Sequence, residues 1–285
     1  MRPKQATHHA DSHSLYVTAK HIARQLERDR VTMLAAGVAF YALLALFPAI
    51  AAVISMWGLL FDPFDAGQQL RELSQVLPPR AARLVNQQTQ NVAESASERG
   101  GIAALAGVVA AVFVASKAVR GLMVGLNVVY GEKDQRSRLV RSVVVLALTF
   151  GLVGMTLVTL GFIALVPFVV DVLQIASPLD QLIDWLRWPA LLVIMTFVIA
   201  LLYRFGPYRE SARWEWLNAG TLVATLLWLL GSAGLSLYVR YFAYFSQLYG
   251  SLGAVVMLML WFWLSAFVVL LGAEINAYKV AQRRK

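Results

Sequence analysis

Cysteine is absent from the 285-residue chain, which excludes a disulfide framework and any thiolate metal site. Charge is scarce: 14% of the residues are Asp, Glu, Lys or Arg, while 59% are hydrophobic. A water-soluble domain carries about 25% charged residues, so this chain has too little polar surface to cover its apolar side chains in water. The motifs of common enzyme classes are missing as well. There is no Walker loop, zincin helix, G-x-S-x-G elbow or dinucleotide fingerprint. The four histidines, His8, His9, His13 and His21, include one i, i+4 pair, but no carboxylate motif follows it. No metal or cofactor is expected. The net charge of +9 lacks the clustered aromatic platform that single-stranded nucleic acid needs, so no nucleic-acid partner is expected either.

What the chain has is long apolar runs. A spanning helix needs roughly 20 mainly apolar residues, and six stretches qualify or come close: about Met33–Phe61, Gly101–Ser116, Ser142–Val170, Trp188–Tyr203, Leu217–Val239 and Gly250–Ala273. The runs are continuous rather than alternating, so helices and not barrel strands satisfy the backbone in lipid. The second is short unless it continues past Lys117. The first thirty residues mix both charge signs, and the run after them is far longer than the apolar core of a signal peptide. The expected fold is therefore an all-α bundle of six transmembrane helices.

Orientation follows from the basic residues. Six precede the first span, six follow the second, three follow the fourth and four close the chain, which puts nineteen on one side and leaves six on the other. The bias predicts a multi-pass protein of a bacterial inner membrane with both termini in the cytoplasm, as an even number of spans requires. Aromatic residues mark the two interfaces: Tyr203, Tyr208, Trp214, Trp216 and Tyr278 at the cytoplasmic level, and Trp57, Trp185, Trp188, Tyr238, Tyr241 and Tyr249 at the outer one. Trp228 and Trp261 fall near the middle of their spans, where an indole N–H wants a partner. They are either helix-packing residues bonded to a neighbouring carbonyl or walls of an internal cavity.

The chain divides into a cytoplasmic tail (1–30), a six-helix membrane domain (31–278) and a basic cytoplasmic tail (279–285). Within the membrane domain, residues 62–100 form a polar extracytoplasmic segment. Leu70, Leu73 and Leu77 keep helical spacing, Pro78-Pro79 breaks the run, and Ala82–Val92 suits a second short helix. A small helical hairpin over the outer face is expected. Met1–Ser14 reads as disordered, with a surface helix starting near Leu15, where Tyr16, Ile22 and Leu26 alternate with basic residues. Span one carries alanines at helical spacing, Ala35, Ala39, Ala42, Ala45, Ala49 and Ala52, a stripe that lets another helix come close.

The polar residues to weigh are Lys117, Arg120 and Glu274, all assigned to the cytoplasmic ends of their helices, with Asn127, Asn276 and Arg30 at similar depth. A carboxylate where a span leaves the apolar region is costly unless it meets water or a cation. Arg30, Lys117, Arg120 or Arg204 could supply that cation. The set is either a polar gate or head-group site, or a structural ion pair with snorkelling charges.

Several segments read together: Met33-Leu-Ala-Ala-Gly-Val-Ala-Phe-Tyr-Ala-Leu-Leu-Ala-Leu-Phe-Pro48 after Arg30, Ser116-Lys117 before Leu126-Asn-Val-Val-Tyr130, Tyr203-Arg204 and Pro207 before Arg213-Trp214, and Tyr249-Gly-Ser-Leu-Gly253 leading to Trp261 and Gly272-Ala-Glu-Ile-Asn-Ala277. Over Arg30–Ala277 the chain resembles the YihY/virulence factor BrkB family of bacterial inner-membrane proteins. The resemblance implies a six-span membrane fold and carries no established catalytic residues. The family's old label of ribonuclease BN finds no nuclease metal site in these residues, so no enzymatic activity is expected. Transport or handling of a lipid or another anionic solute is the expected function, with a non-catalytic scaffold for partner proteins as the alternative. Membrane lipids are the expected partners, along with a second copy of the chain or other membrane proteins.

Overall fold

The computed structural model describes residues 7–60, 79–172, 179–208, 218–241 and 251–283. Every regular element among them is an α-helix: α1 (Thr7–Arg28), α2 (Val31–Leu60), α3 (Pro79–Tyr130), α4 (Arg138–Val172), α5 (Leu179–Phe205), α6 (Ala219–Tyr241) and α7 (Ser251–Arg283). Five stretches are long and apolar enough to cross a membrane: Val31–Ala52, Leu105–Tyr130, Arg138–Thr159, Ala219–Tyr238 and Gly253–Gln282. Pro189–Phe205, the apolar part of α5, is shorter. No more than 22% of any of the five windows is buried. Apolar side chains that face outward in such numbers, Phe40, Phe47, Phe113, Phe150 and Leu157 among them, need hydrocarbon rather than water around them.

Local chemistry sets the helix ends. α1 begins at Thr7, earlier than its amphipathic face suggested, because nothing between Pro3 and Arg28 breaks a helix. Arg30 then turns the chain with φ 49°, and its carbonyl accepts the Met33 and Leu34 N–H groups that open α2. α2 runs on through Pro48. Proline suits the first helical position, where no intrahelical N–H is needed, and α3 starts at Pro79. It continues for 52 residues. Residues 82–92, expected as a separate short helix, are thus the early turns of α3; the Gly100-Gly101 pair weakens a helix without ending it. The first arm of the expected hairpin, Leu70–Leu77, lies outside the described residues, as do Trp214, Trp216 and Tyr249. α3 ends in a Schellman motif: Gly131 has φ +66°, Glu132 N–H donates to the Asn127 carbonyl at 2.9 Å, and Gly131 N–H to that of Val128 at 3.0 Å. Ser137 caps α4, its hydroxyl accepting the Val140 N–H at 3.3 Å.

The chain forms two compact units. The first comprises residues 1–38, 119–237 and 263–285. Its core joins α3 to α4 through Val119, Met123 and Val145, and α4 packs on α5. α6 crosses α7 where two glycines meet: a Cβ on Gly272 would strike the Tyr203 hydroxyl and lie 2.5 Å from the Gly220 carbonyl oxygen and 2.7 Å from Ala224 Cβ. The second unit comprises residues 39–118 and 238–262. In it the α2 alanines Ala39, Ala45 and Ala52 are buried, and Ala52 lies against Gly107 of α3, so the small-residue stripe does admit a neighbouring helix.

Candidate functional site

The apolar stretch of α3 extends to Tyr130 rather than stopping before Lys117. Lys117 and Arg120 therefore sit within an apolar helix and not at its end. At 1.5 Å per residue they lie about 20 and 15 Å along the axis from Tyr130. Their long side chains let the charged heads reach outward, which lowers the cost of these positions without removing it.

Arg120 lines a cleft of about 290 Å³ with Met123, Val124, Asn127 and Val128 of the same helix. These positions recur at i, i+3, i+4, i+7 and i+8, which is one face of a helix. The opposite wall is Arg141 and Val145 of α4, and the connection between the helices adds Glu132 and Asp134. Asp134 is held from two sides. Its Oδ2 accepts Arg141 Nε at 2.8 Å, its Oδ1 accepts the Arg136 N–H at 3.0 Å, and its carbonyl accepts Arg141 Nη2 at 3.1 Å. Arg136 in turn donates to the carbonyls of Gly206 at 3.1 Å and Pro207 at 3.0 Å, with Phe205 at 3.3 Å. A guanidinium at the C-terminal end of α5 meets carbonyls that have no intrahelical donor. Asn127 fixes the same end from α3, its Oδ1 accepting the Tyr208 N–H at 2.7 Å. The cleft is thus built on rigid contacts, and the Arg141 charge is neutralised by Asp134. Arg120 has no hydrogen-bond or ion-pair partner among the described residues. It is exposed, beside the exposed Val124 and Val128.

The other candidates separate. Glu274 and Asn276 are two residues apart on α7, about 200° round a helix. Asn276 looks toward α6: its Oδ1 accepts the Gly220 N–H at 2.9 Å, satisfying one of the orphan donors in the first turn of α6. Val269, one to two turns earlier on this side, accepts the Tyr203 hydroxyl at 2.6 Å. Glu274 shares its side of α7 with Leu270, which lies against Gly125 of α3, and with Tyr278, whose ring meets His21 of α1 at 5.1 Å. No Lys or Arg among the described residues pairs with Glu274; its neighbour is the carboxyl of Asp29. The cation expected for it is an acid instead, because the α1–α2 corner brings Asp29 and not Arg30 to this face. Arg30 serves the backbone turn. Lys117 belongs to the second unit, its ammonium 4.8 Å from the Phe113 ring centre.

Trp228 meets its partner, donating to Ser265 Oγ at 2.9 Å; this partner is a hydroxyl of α7 rather than a carbonyl. Trp261 lies beside Phe262, and neither tryptophan lines the cleft. Sequence reasoning missed Asp29, Asp134 and Arg136 as parts of sites. Asp29 stood between two arginines that drew attention to topology. For Asp134 the only signal was an acid seven residues before Arg141, across a turn.

Apolar helices with most of their surface turned outward, and a charged cleft cut into one of them, define a polytopic membrane protein. The chain matches the family described as Virulence factor BrkB over residues 22–285, and it belongs to that family, as its N- and C-terminal motifs suggested. It is 30% identical over 250 residues to the ribonuclease-like protein YfkH of Bacillus subtilis (strain 168), covering 85% of this chain and 87% of that protein. A UPF0761 membrane protein of Cronobacter sakazakii (strain ATCC BAA-894) is 29% identical over 259 residues, 88% of this chain and 84% of the relative. UPF0761 membrane protein azo3165 of Azoarcus sp. (strain BH72) is 26% identical over 264 residues, 90% of this chain and 62% of the relative, so the chain spans less than two thirds of that protein. No solved structure matches the chain.

Proposed function

We propose that this protein carries an anionic amphiphile, a phospholipid or a solute of similar charge, between the faces of a bacterial inner membrane, and that Arg120 receives its anionic group. One observation carries this reading: Arg120 is exposed on an apolar helix face, without a protein partner among the described residues, at the wall of a 290 Å³ cleft. A lone guanidinium at this depth is costly to keep. An anion drawn below the head-group level offsets that cost, while Val124 and Val128 accept its apolar part. A fixed head-group contact would need a cation only near the helix end, whereas Arg120 lies about 15 Å from it.

The same reading includes six spans and cytoplasmic termini. Pro189–Phe205 is part of the 27-residue α5, long enough as a whole to cross. Moving Lys117 and Arg120 from the loop into α3 leaves seventeen basic residues against six, so the bias keeps its sign. The ribonuclease-like name of one relative adds no residues that would perform hydrolysis.

The test is movement of a fluorescent phospholipid between leaflets of proteoliposomes, comparing the intact chain with Arg120→Gln and Lys117→Ala. Movement that falls at least tenfold in Arg120→Gln supports the reading. No movement by a folded sample, or movement indifferent to Arg120→Gln, overturns it. A partner protein captured at fixed ratio would then favour the scaffold.

A further inference from the structure

The cleft beside Arg120 is lined by four charged residues, two of each sign: Arg120 and Arg141 against Glu132 and Asp134. Arg141 and Asp134 neutralise each other across 2.8 Å. Arg120 and Glu132 do not pair. Among the described residues, neither side chain has a hydrogen bond or an ion pair. The cleft therefore has no net charge, yet its lining offers one free cation and one free anion.

The end of α3 brings these two toward each other. Asn127 lies about 10 Å along the axis from Arg120. The Schellman turn then folds the chain back, so that the Glu132 N–H meets the Asn127 carbonyl at 2.9 Å. Both residues are exposed, and both border the same cleft. A guest of net negative charge that met Arg120 would be repelled by Glu132. A guest with an ammonium beside its anionic group satisfies both. Asn127 lies between them. Its Oδ1 is held by the Tyr208 N–H at 2.7 Å, which leaves the NH2 end of the amide to donate to an anionic oxygen. The kind of ammonium follows from what the wall lacks. Quaternary ammonium groups are recognised by aromatic faces, and none of the lining residues is Phe, Tyr or Trp. A primary ammonium brings N–H donors, which a carboxylate accepts directly.

We propose that the cleft receives a phosphate diester bearing a primary ammonium, the head of phosphatidylethanolamine, with Arg120 taking the phosphate and Glu132 the ammonium. Val124 and Val128, exposed on the same helix face, meet the apolar part that follows the head. Glu132 is then the residue that decides which phospholipid is chosen. The proposal rests on the reading above for the anionic group at Arg120, and it adds what that group is joined to.

The test is binding of short-chain phosphatidylethanolamine, phosphatidylglycerol and phosphatidylcholine to the full chain in detergent, read by native mass spectrometry. The intact protein should bind the ethanolamine lipid about tenfold more tightly than the other two, as one hydrogen bond to a charged group allows. Glu132→Gln should remove that preference, and Glu132→Lys should put the glycerol lipid first. Equal binding of the three lipids, or a preference for ethanolamine that survives Glu132→Gln, overturns the proposal. Glycerophosphoethanolamine that displaces the lipid at equal concentration overturns the lipid as the source of the head. The turn at Glu132 is made by backbone bonds, so both variants are expected to fold; should one fail, the other carries the test. The same lipids, labelled on an acyl chain, are then followed between leaflets. Binding with this preference but without movement upholds the head-group assignment and sinks transport. Movement that needs Arg120 but ignores the head group does the reverse.

Discussion

Replacing Gly272 by alanine should destabilise the protein by about 2–4 kcal/mol. The added methyl group would strike the Tyr203 hydroxyl and stand 2.5 Å from the Gly220 carbonyl oxygen, one of its obstacles being backbone that cannot rotate away. Overpacking of this kind costs about 1–3 kcal/mol. Displacing Tyr203 also strains its 2.6 Å bond to the Val269 carbonyl, worth about 1 kcal/mol. The sum corresponds to a roughly 30- to 700-fold change in the folded-to-unfolded ratio. Equilibrium unfolding of the purified chain in micelles, followed by tryptophan fluorescence, measures it. Gly154 of α4 is the internal control, because a Cβ there meets nothing within 4 Å. Gly154→Ala should be neutral or stabilising by up to about 1 kcal/mol. Tyr203→Phe removes one obstacle, so Tyr203→Phe with Gly272→Ala should cost less than the two separate losses added together. If Gly272→Ala is no less stable than Gly154→Ala, the close crossing of α6 and α7 is not what the glycine is for; if the two costs simply add, the Tyr203 hydroxyl of α5 is not an obstacle to the added methyl group.

The clamp at the end of α5 makes a second prediction: Arg136→Ala frees three carbonyls and should cost about 1–3 kcal/mol in the same unfolding assay. Arg136→Lys should recover less than half, since an ammonium lacks the planar fork. Gly131→Ala puts a side chain at φ +66° and should cost about 1 kcal/mol, with Gly131→Asn costing less.

The membrane character of the chain and the existence of its apolar helices were legible in composition and run length, because lipid imposes a single strong requirement on the backbone. Helix ends were harder to place. The second span, Gly101 to about Ser116, is short unless it continues past Lys117, and it does continue: nothing about a lysine ends a helix, and the terminator is the glycine at 131. The candidate site was legible in its residue types and not in its grouping. The Gly272-Ala-Glu-Ile-Asn-Ala277 motif reads as one polar patch, but the helix divides it: Gly272 and Asn276 serve the α6 crossing, and Glu274 turns to α1. Placing Asp29 near Glu274 requires knowing how the two-residue corner Asp29-Arg30 folds back, and no periodicity carries that information.

The length of α3 decides what its two halves meet. Its 52 residues amount to about 78 Å of helix, whereas the hydrocarbon core is about 30 Å thick. The apolar half, Leu105–Tyr130, uses about 39 Å, and the polar half adds an arm of equal reach. A helix more than twice as long as the hydrocarbon core is thick cannot cross it without projecting, so where the apolar half lies in lipid the polar half meets water, and the polar side chains of that half need no partner from the protein.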